Sequence, residues 1–397
     1  MRAFHRFMDW EPSGGMMLLV AAAAALIVVN SQHQSWYHDL FDTPLIVQMG
    51  TFKLAKPFIL WVNDGLMTIF FLMVGLEIKR ELIEGELNSF SKMALPAIAA
   101  LGGMVVPAAF YALLNWNDPL AMRGWATPVA TDIAFSLGVL SLVGSRVPLT
   151  LKVFLTALAT FDDLGAIVVI AVRYTDKLSH DSLLLALCSI FLLITLNRSA
   201  VRSLMAYGVV GLILWVCVLK SGVHATLAGV IMAFAIPLRD PLHPEHSPLR
   251  WLEEALWPWV TFAVLPLFAF ANAGIPLEGM NLQQMMSPVV IGCAGGLFFG
   301  KQVGIFGATW LGVKLKLAPM PSNTNWLGIY GMSLVCGVGF TMSFFIGALA
   351  FNSVGSPYTE WVRLGVIWGS LLSAAVGYCI LRYGPVTTNS SDAESNA

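Results

Sequence analysis

Two adjacent carboxylates, Asp162 and Asp163, sit in the middle of LKVFLTALATFDDLGAIVVIAVR, residues 151–173. The run is otherwise almost wholly apolar, and about 20 apolar residues at 1.5 Å each cross a hydrocarbon core. One carboxylate at that depth is expensive and a second more so. Folding does not require them, so the pair predicts a watery cavity that handles a cation, a proton or both. Na⁺ and Li⁺ are hard ions that prefer oxygen ligands, by the logic that governs other hard cations. A proton competes for the same carboxylate oxygens. One site that faces either side in turn, with two competing ligands, suffices for obligatory exchange.

The two side chains lie about 100° apart around a helix, so one can meet a cation while the other meets a fixed positive partner. Lys301, in FFGKQVGIF, is the natural partner, being the lysine placed well inside an apolar run. A purely structural ion pair is the alternative for Asp162 and Lys301. It fits Asp163 less well, because one ammonium does not neutralise two carboxylates. Asp132, with Thr131, lies where GWATPVATDIAFSLGVLSLVG is interrupted by Pro128 and Gly138. If two interrupted helices cross there, like ends meet. A carboxylate at Asp132 then offsets the paired positive ends and Lys301 the negative ones. A plain helix-capping role for Asp132 is compatible with this.

These residues need a frame. The chain has 397 residues, 57% hydrophobic and 11% charged, with net charge −1 and mean hydropathy +0.75. Soluble domains carry about 25% charged residues, so the composition predicts an all-α polytopic membrane protein. The lysines and arginines are dispersed, which speaks against a nucleic-acid partner. The lipid bilayer is the expected surrounding. Cys188, Cys217, Cys293, Cys336 and Cys379 all fall in apolar runs, an odd number without paired spacing. They read as packing residues and not as disulfides or a metal site. HPEH at 243–246 lacks zinc-protease spacing. No cofactor is expected.

Apolar runs predict about twelve spans. They cover 12–30, 58–78, 94–115, 124–144, 150–173, 182–197, 203–219, 223–237, 252–272, 288–311, 326–350 and 360–381. The inner links, counted with the N-terminus inside, hold twice as many Lys and Arg as the outer ones, which puts both termini in the cytoplasm. No cleaved signal peptide is expected. The domain reading is a cytoplasmic N-terminus over 1–11, one transmembrane domain over 12–382, and a disordered cytoplasmic tail over 383–397. The first outer link contains LIVQMGTFKLAKP, rich in β-formers around Gly50. It predicts a short outer hairpin whose edge can pair with a second copy.

WLGIYGMSLVCGVGFTMSFFIGALAF is the second interrupted run, with Gly337, Gly339 and Thr341 near its middle. Paired interrupted spans, one per half of the chain, point to a transporter binding site. Further polar residues are more ambiguous. Asp64, near the outer start of its span, reads equally as a cap or a functional group. His224 at a span end reads more simply as structural, although it titrates near neutrality. Glu77, Arg80 and Glu81 form an i, i+3, i+4 cluster at an inner helix end, with Glu253 and Glu254 near another.

Five stretches carry a resemblance: ATDIAFSLG (130–138), ALATFDDLGAIVVIA (157–171), LPLFAFANAG (265–274), Gly300-Lys301, and CGVGFTMSFFI (336–346). Together they resemble the bacterial NhaA-type sodium/proton antiporters over essentially the whole chain. The resemblance implies twelve spans in inverted repeats, the fourth and eleventh discontinuous and crossing; that family is itself a type example of such architecture. It implies electrogenic export of Na⁺ or Li⁺ against entering protons in a bacterial inner membrane, for sodium and pH homeostasis. It implies a homodimer through the outer hairpin. By motif position Asp163 is the main cation and proton carrier. Asp162 partners Lys301, which itself exchanges a proton, and Asp132 and Thr131 sit at the crossing. Glu77, Arg80, Glu81 and Glu253 match an inner funnel tied to activation at alkaline pH, and His224 a position tied to pH response. Glu254 and Trp257 stand where the pattern has histidines, which bears on the pH profile and not on the exchange core.

Two rivals remain. A sodium-coupled symporter of an organic solute needs a second, larger polar pocket, whereas the polar residues above gather at one cation site. An intramembrane aspartyl protease lacks its GxGD motif here and leaves Lys301 without a role. The chain therefore reads as a transporter and not an enzyme.

Overall fold

The computed structural model describes residues 13–50, 52–85, 88–174, 179–239, 246–278, 280–351 and 357–385. The expected N-terminal segment 1–11, most of the expected tail and HPEH up to Glu245 lie outside the described residues. The architecture is helical, with one two-stranded antiparallel sheet. Eight helices are long and apolar enough to cross a membrane. Three further bent pairs each pass as one span, giving up to eleven among the described residues.

In chain order the elements begin with α1 (Ser13–Val29) and α2 (Gln34–Asp42), bent 112° from one another. Helix α2, whose Tyr37 and Phe41 are buried one turn apart, has no counterpart among the expected elements. The hairpin follows as β1 (Pro44–Met49) and β2 (Phe52–Pro57), in register from Pro44↔Pro57 to Met49↔Phe52. Gly50 turns it with φ +60°, a conformation glycine adopts without strain. Then come α3 (Phe58–Ile83) and α4 (Phe90–Asn115). The first interrupted run forms α5, a 3₁₀ helix over Ala121–Val129, and α6 (Ile133–Val143), bent 42° at the break. Four helices follow: α7 (Leu149–Arg173), α8 (His180–Arg198), α9 (Leu204–Ser221) and α10 (Leu227–Ala235). After them come α11 (Pro248–Ala273) and α12. The latter runs from Pro288–Gly295 through two π-helical stretches, Gly296–Gly300 and Gln302–Phe306, to Gly307–Lys314. The second interrupted run forms α13 (Trp326–Val335) and α14 (Phe340–Phe351), bent 46°, and α15 (Tyr358–Tyr383) closes the order.

The expected eighth span, 223–237, is helical only over the nine residues of α10. At 1.5 Å per residue that is about 14 Å, half a hydrocarbon core. The cysteines also divide: Cys293 and Cys336 are buried, while Cys188 and Cys379 face outward. All five are free thiols.

The chain forms two compact units. The first comprises 1–20, 86–166 and 275–397, the second 21–85 and 167–274. Inside the second, α3 and α10 approach through glycine: a Cβ on Gly229 would stand 2.3 Å from the Thr68 carbonyl oxygen. Leu76, Leu193, Tyr207, Leu214 and Ile236 fill its core.

Inside the first unit, α4 and α12 come together at backbone distance. A Cβ on Gly102 would lie 2.3 Å from the Gly304 carbonyl oxygen, and one on Gly304 would lie 2.2 Å from that of Gly102. Gly300 stands against Pro107, where a Cβ would meet its Cα at 2.7 Å. Lipid chains are as apolar as leucine, so helices in a bilayer associate through close packing of small residues. These contacts fix the height and rotation of α12 on both sides of Lys301. Gly304→Ala is expected to cost about 1–3 kcal/mol, the usual range for an overpacked core, seen as a lower thermal midpoint in detergent. Gly208→Ala in α9, where a Cβ meets nothing within 4 Å, should leave the midpoint unchanged or raise it.

Candidate ion-binding site

Both helix breaks belong to the first unit. At the first, Pro128 ends the 3₁₀ turn of α5, and Ala130 to Asp132 run extended before α6. At the second, Gly337 and Gly339 allow contacts that a side chain forbids. A Cβ on Gly337 would lie 2.4 Å from the Leu297 carbonyl oxygen, and one on Gly339 would lie 2.9 Å from that of Ala130. The breaks are stitched in antiparallel order. Ser343 Oγ donates to the Thr127 carbonyl at 2.7 Å, the Asp132 amide to that of Val338 at 2.7 Å, and Ser136 Oγ to that of Val335 at 3.2 Å. Groups freed from the helical ladders therefore find protein partners, as a membrane interior demands.

Asp132 lies between two helix N-termini. Its Oδ1 accepts the Phe135 amide of α6 at 2.9 Å. Its Oδ2 accepts the Thr341 amide of α14 at 3.1 Å and the Thr341 hydroxyl. One carboxylate thus meets two partly positive helix ends. Asp132 caps two helices at once.

The C-terminal end of α13 is met by Thr131 and, through it, by Lys301. Lys301 is fully buried. Its ammonium donates to Asp162 Oδ2 at 2.6 Å and to Thr131 Oγ1 at 3.0 Å. Thr131 Oγ1 lies 2.7 Å from Asp162 Oδ2 and 2.9 Å from the Cys336 carbonyl oxygen at the end of α13. The hydroxyl has one proton and two acceptors, so it joins the ion pair to the broken helix. Asp162 Oδ1 is buried and has no hydrogen-bond partner among the described residues. Asp163, the next residue on α7, is also fully buried. A cavity of about 460 Å³ lies along the start of α7, lined there by Leu149, Thr150, Val153, Phe154 and Ala157. From Ala157 to Asp163 is about 9 Å along the helix axis.

Asp162, Asp163, Asp132, Thr131 and Lys301 are thus all buried in one unit; Lys301, Asp162, Thr131 and the Cys336 carbonyl form one hydrogen-bonded group, and Asp132 with Thr341 forms another next to it in sequence. Thr341 marks the break in the sequence, but only its contacts reveal a double bond to Asp132. The π-helical stretches on either side of Lys301 had no sequence signal beyond local glycine.

The remaining candidates lie in the second unit. Arg80 Nε bonds Glu253 at 3.0 and 3.2 Å, and Arg80 Nη1 bonds Glu81 at 2.7 Å, with Glu77 one turn earlier on α3. Arg80, Arg250, Glu253, Glu254 and Trp257 line a cavity of about 330 Å³. Glu254 and Trp257 thus line the same cavity as Arg80 and Glu253. Asp64 is not a helix cap: α3 begins six residues earlier, and Asp64 pairs with Lys56 of β2 at 2.8 Å. His224 lies in the link between α9 and α10, where its carbonyl accepts the Leu227 amide at 3.2 Å.

Sequence reasoning missed a second ionic knot. Glu84 accepts Arg239 Nε at 2.8 Å and Arg250 Nη2 at 2.6 Å. Hydrogen bonds from Arg239 and then Arg250 hold its carboxyl below the ordinary value of 4.5. Its residue type and neighbours in sequence carry no hint of partners more than 150 positions away.

Both ionic arrangements are open to test. Removing one member of a buried ion pair strands the other, at about 3–5 kcal/mol. Asp162→Asn and Lys301→Gln should each lower unfolding stability on that scale, and the double variant by clearly less than the sum; denaturation of the three variants measures it. For Glu84 the sign is that of a depressed carboxyl: its stabilisation is present above pH about 4.5 and lost as pH falls through the lower folded value. The thermal-midpoint gap between wild type and Glu84→Gln should therefore be open at neutral pH and close under acid.

The chain matches the family described as Na⁺/H⁺ antiporter 1 over residues 5–381. It is 54% identical over 377 residues to the Na(+)/H(+) antiporter NhaA of Pseudomonas putida (strain GB-1), covering 95% of this chain and 96% of that protein. It is 53% identical over 388 residues to the protein of the same name from Rhodospirillum rubrum, with 96% and 97% covered. The corresponding protein of Shewanella pealeana is 52% identical over 377 residues, with 95% and 96% covered.

Proposed function

We propose an exchange mechanism from one premise: this chain belongs to the Na⁺/H⁺ antiporter 1 family and is a multi-pass membrane protein that exchanges Na⁺ for H⁺. The observation that carries the site assignment is a charge imbalance. Among the described residues the buried charged side chains are Asp132, Asp162, Asp163 and Lys301. Three carboxyls share one ammonium. Two helix N-termini offset Asp132, and Lys301 offsets Asp162. Asp163 is the third carboxyl and is equally buried, and in this reading a bound Na⁺ or a proton neutralises it. A net charge at that depth is costly, so one of the two occupants is favoured at every stage of the cycle.

Asp163 is the primary carrier in this reading. Asp162 Oδ1 and the Thr131 hydroxyl are further oxygen donors for Na⁺, or for Li⁺, which has the same ligand preference. Cation approach to Asp162 weakens the hold of its Oδ2 on Lys301, so the ammonium can surrender a proton as Na⁺ arrives. Asp132 fixes the crossing through its bonds to Phe135 and Thr341 while the site faces one side and then the other. The cavity beside the start of α7 is the inner approach, and both termini are cytoplasmic in a bacterial inner membrane. Na⁺ or Li⁺ leaves the cell as protons enter, electrogenically.

The cluster of Glu77, Arg80, Glu81 and Glu253 tunes activity to pH, with His224 as a second contributor to the pH response. Glu254 and Trp257 face the same cavity and shift that profile relative to histidine-bearing relatives. The hairpin of β1 and β2 exposes Leu45, Ile46 and Val47, which suits pairing with a second copy in a homodimer. The symporter alternative draws no support from the relatives, which are named for Na⁺ and H⁺ alone.

Inside-out vesicles with an acid interior and a fluorescent pH reporter test the mechanism. NaCl should collapse the gradient where KCl does not, and Asp163→Asn should abolish the response. A response that survives in Asp163→Asn moves the carrier role to Asp162 or Asp132. Silence of the wild type across neutral to alkaline pH overturns the function.

A further inference from the structure

Helix α15 presents a flat face of small residues at every fourth position: Gly365, Gly369, Ser373 and Gly377. A Cβ on Gly365 would meet the Val290 carbonyl oxygen at 2.7 Å, and one on Gly369 would meet Leu297 Cβ at 2.9 Å, both on α12. One on Gly377 would meet Val335 Cγ2 of α13 at 2.8 Å. Ser373 is the one polar side chain of this face. It is fully buried, and its hydroxyl has no hydrogen-bond partner among the described residues. Its Oγ stands 2.5 Å from the place a Cβ on Gly337 would occupy, directly against the second helix break. Ser370, three residues earlier, already serves that break: its Oγ accepts the Phe340 amide, the first of α14, at 3.2 Å. The helix therefore offers two hydroxyls to the break, one engaged and one idle.

A buried hydroxyl without a partner is less favourable than alanine in the same space. In this conformation Ser373 is a cost. Exchange requires a second conformation, because one site must open to either side in turn. On either side of Gly337, the Cys336 carbonyl holds the Thr131 hydroxyl and the Val338 carbonyl holds the Asp132 amide. A shift of one break against the other severs those bonds. Ser373 Oγ–H is the donor already standing there.

We infer that Ser373 is a positioning residue for the exchange, its hydroxyl taking over a backbone carbonyl of the 336–338 segment in the alternate arrangement of the break. It touches no ion and acts through the backbone. The inference rests on the antiport reading.

Ser373→Ala, compared with wild type in proteoliposomes, tests it. Turnover should fall about five- to tenfold, the scale of one neutral hydrogen bond. The apparent KM for Na⁺ should stay within roughly twofold and the thermal midpoint should hold or rise, since the variant removes an unsatisfied group. That combination separates the role from packing, which would lower the midpoint along with the rate. Ser373→Cys keeps the bulk and a weak donor, and should fall between the two; it carries the test if the alanine variant fails to fold. Unchanged turnover, or turnover lost together with the midpoint, overturns the inference. A responsive wild type beside an unaffected variant sinks this inference alone, whereas a wild type without Na⁺ response sinks the antiport reading as well.

Discussion

A lysine ammonium at zero exposure, 2.6 Å from an aspartate oxygen, is the constraint that the first unit is built to satisfy. Taking both charges out of water costs more than their attraction returns unless geometry is close and the remaining valences are filled. Three things supply that geometry. Thr131 accepts a second hydrogen bond from the ammonium and ties the pair to the Cys336 carbonyl. Glycine contacts at Gly102, Gly300 and Gly304 hold the lysine-bearing helix against its neighbour at backbone distance. π-Helical turns before and after residue 301 set the direction in which the side chain leaves the helix. Such turns are uncommon and recur at functional sites. A helix wound uniformly would rotate Lys301 relative to the glycines that dock it, because each π turn adds a residue to the winding.

Asp132 meets the complementary demand. Broken helices in a membrane expose partial charges at their ends as well as free amides and carbonyls. Phe135 and Thr341 donate their amides to the two oxygens of one carboxylate. The positive ends of α6 and α14 are satisfied with a single buried charge, where separate caps would have needed two. The negative end of α13 reaches Lys301 through a hydroxyl, which can change partners by rotation alone. The crossing is therefore rigid on its acidic side and adjustable on its basic side, where the ion pair lies.

The sequence made the chemistry more legible than the geometry. Charged residues inside apolar runs are rare enough that Asp162, Asp163, Asp132 and Lys301 declare themselves, and Pro128 with Gly337 and Gly339 mark the breaks. Period and length sufficed for most helices, and Gly50 between β-formers sufficed for the hairpin. The failures have physical causes. Helix α10 is flanked by apolar residues that are not helical, so hydropathy overstates its length. Helix α2 carries too many polar residues to register as apolar. Asp64 resembles a cap because it stands near an outer helix start, while the partner that explains it, Lys56, belongs to a strand. Glu84 meets Arg239 and Arg250 across long sequence separations, and no local pattern encodes such a meeting. The idle hydroxyl of Ser373 is invisible for the same reason, since serine among small residues in a helix reads as packing.

The two polar centres differ in the one property that decides how each responds to its surroundings. The charges around Arg80 and Glu84 remain partly exposed, so water and salt screen them. Each pair there is therefore worth little by itself, and solvent meets much of its charge. Asp162, Asp163 and Lys301 are shielded from screening, so each change of occupant alters the local energy by an amount the protein must absorb structurally. In the proposed mechanism, binding one ion there and releasing another is therefore coupled to shape. A carboxylate excess over a single ammonium at full burial makes an empty, fully ionised site the least favourable state. That asymmetry is what exchange, as opposed to leakage, requires: in the proposed mechanism the site passes between two neutralised states and avoids the one in which neither ion is held.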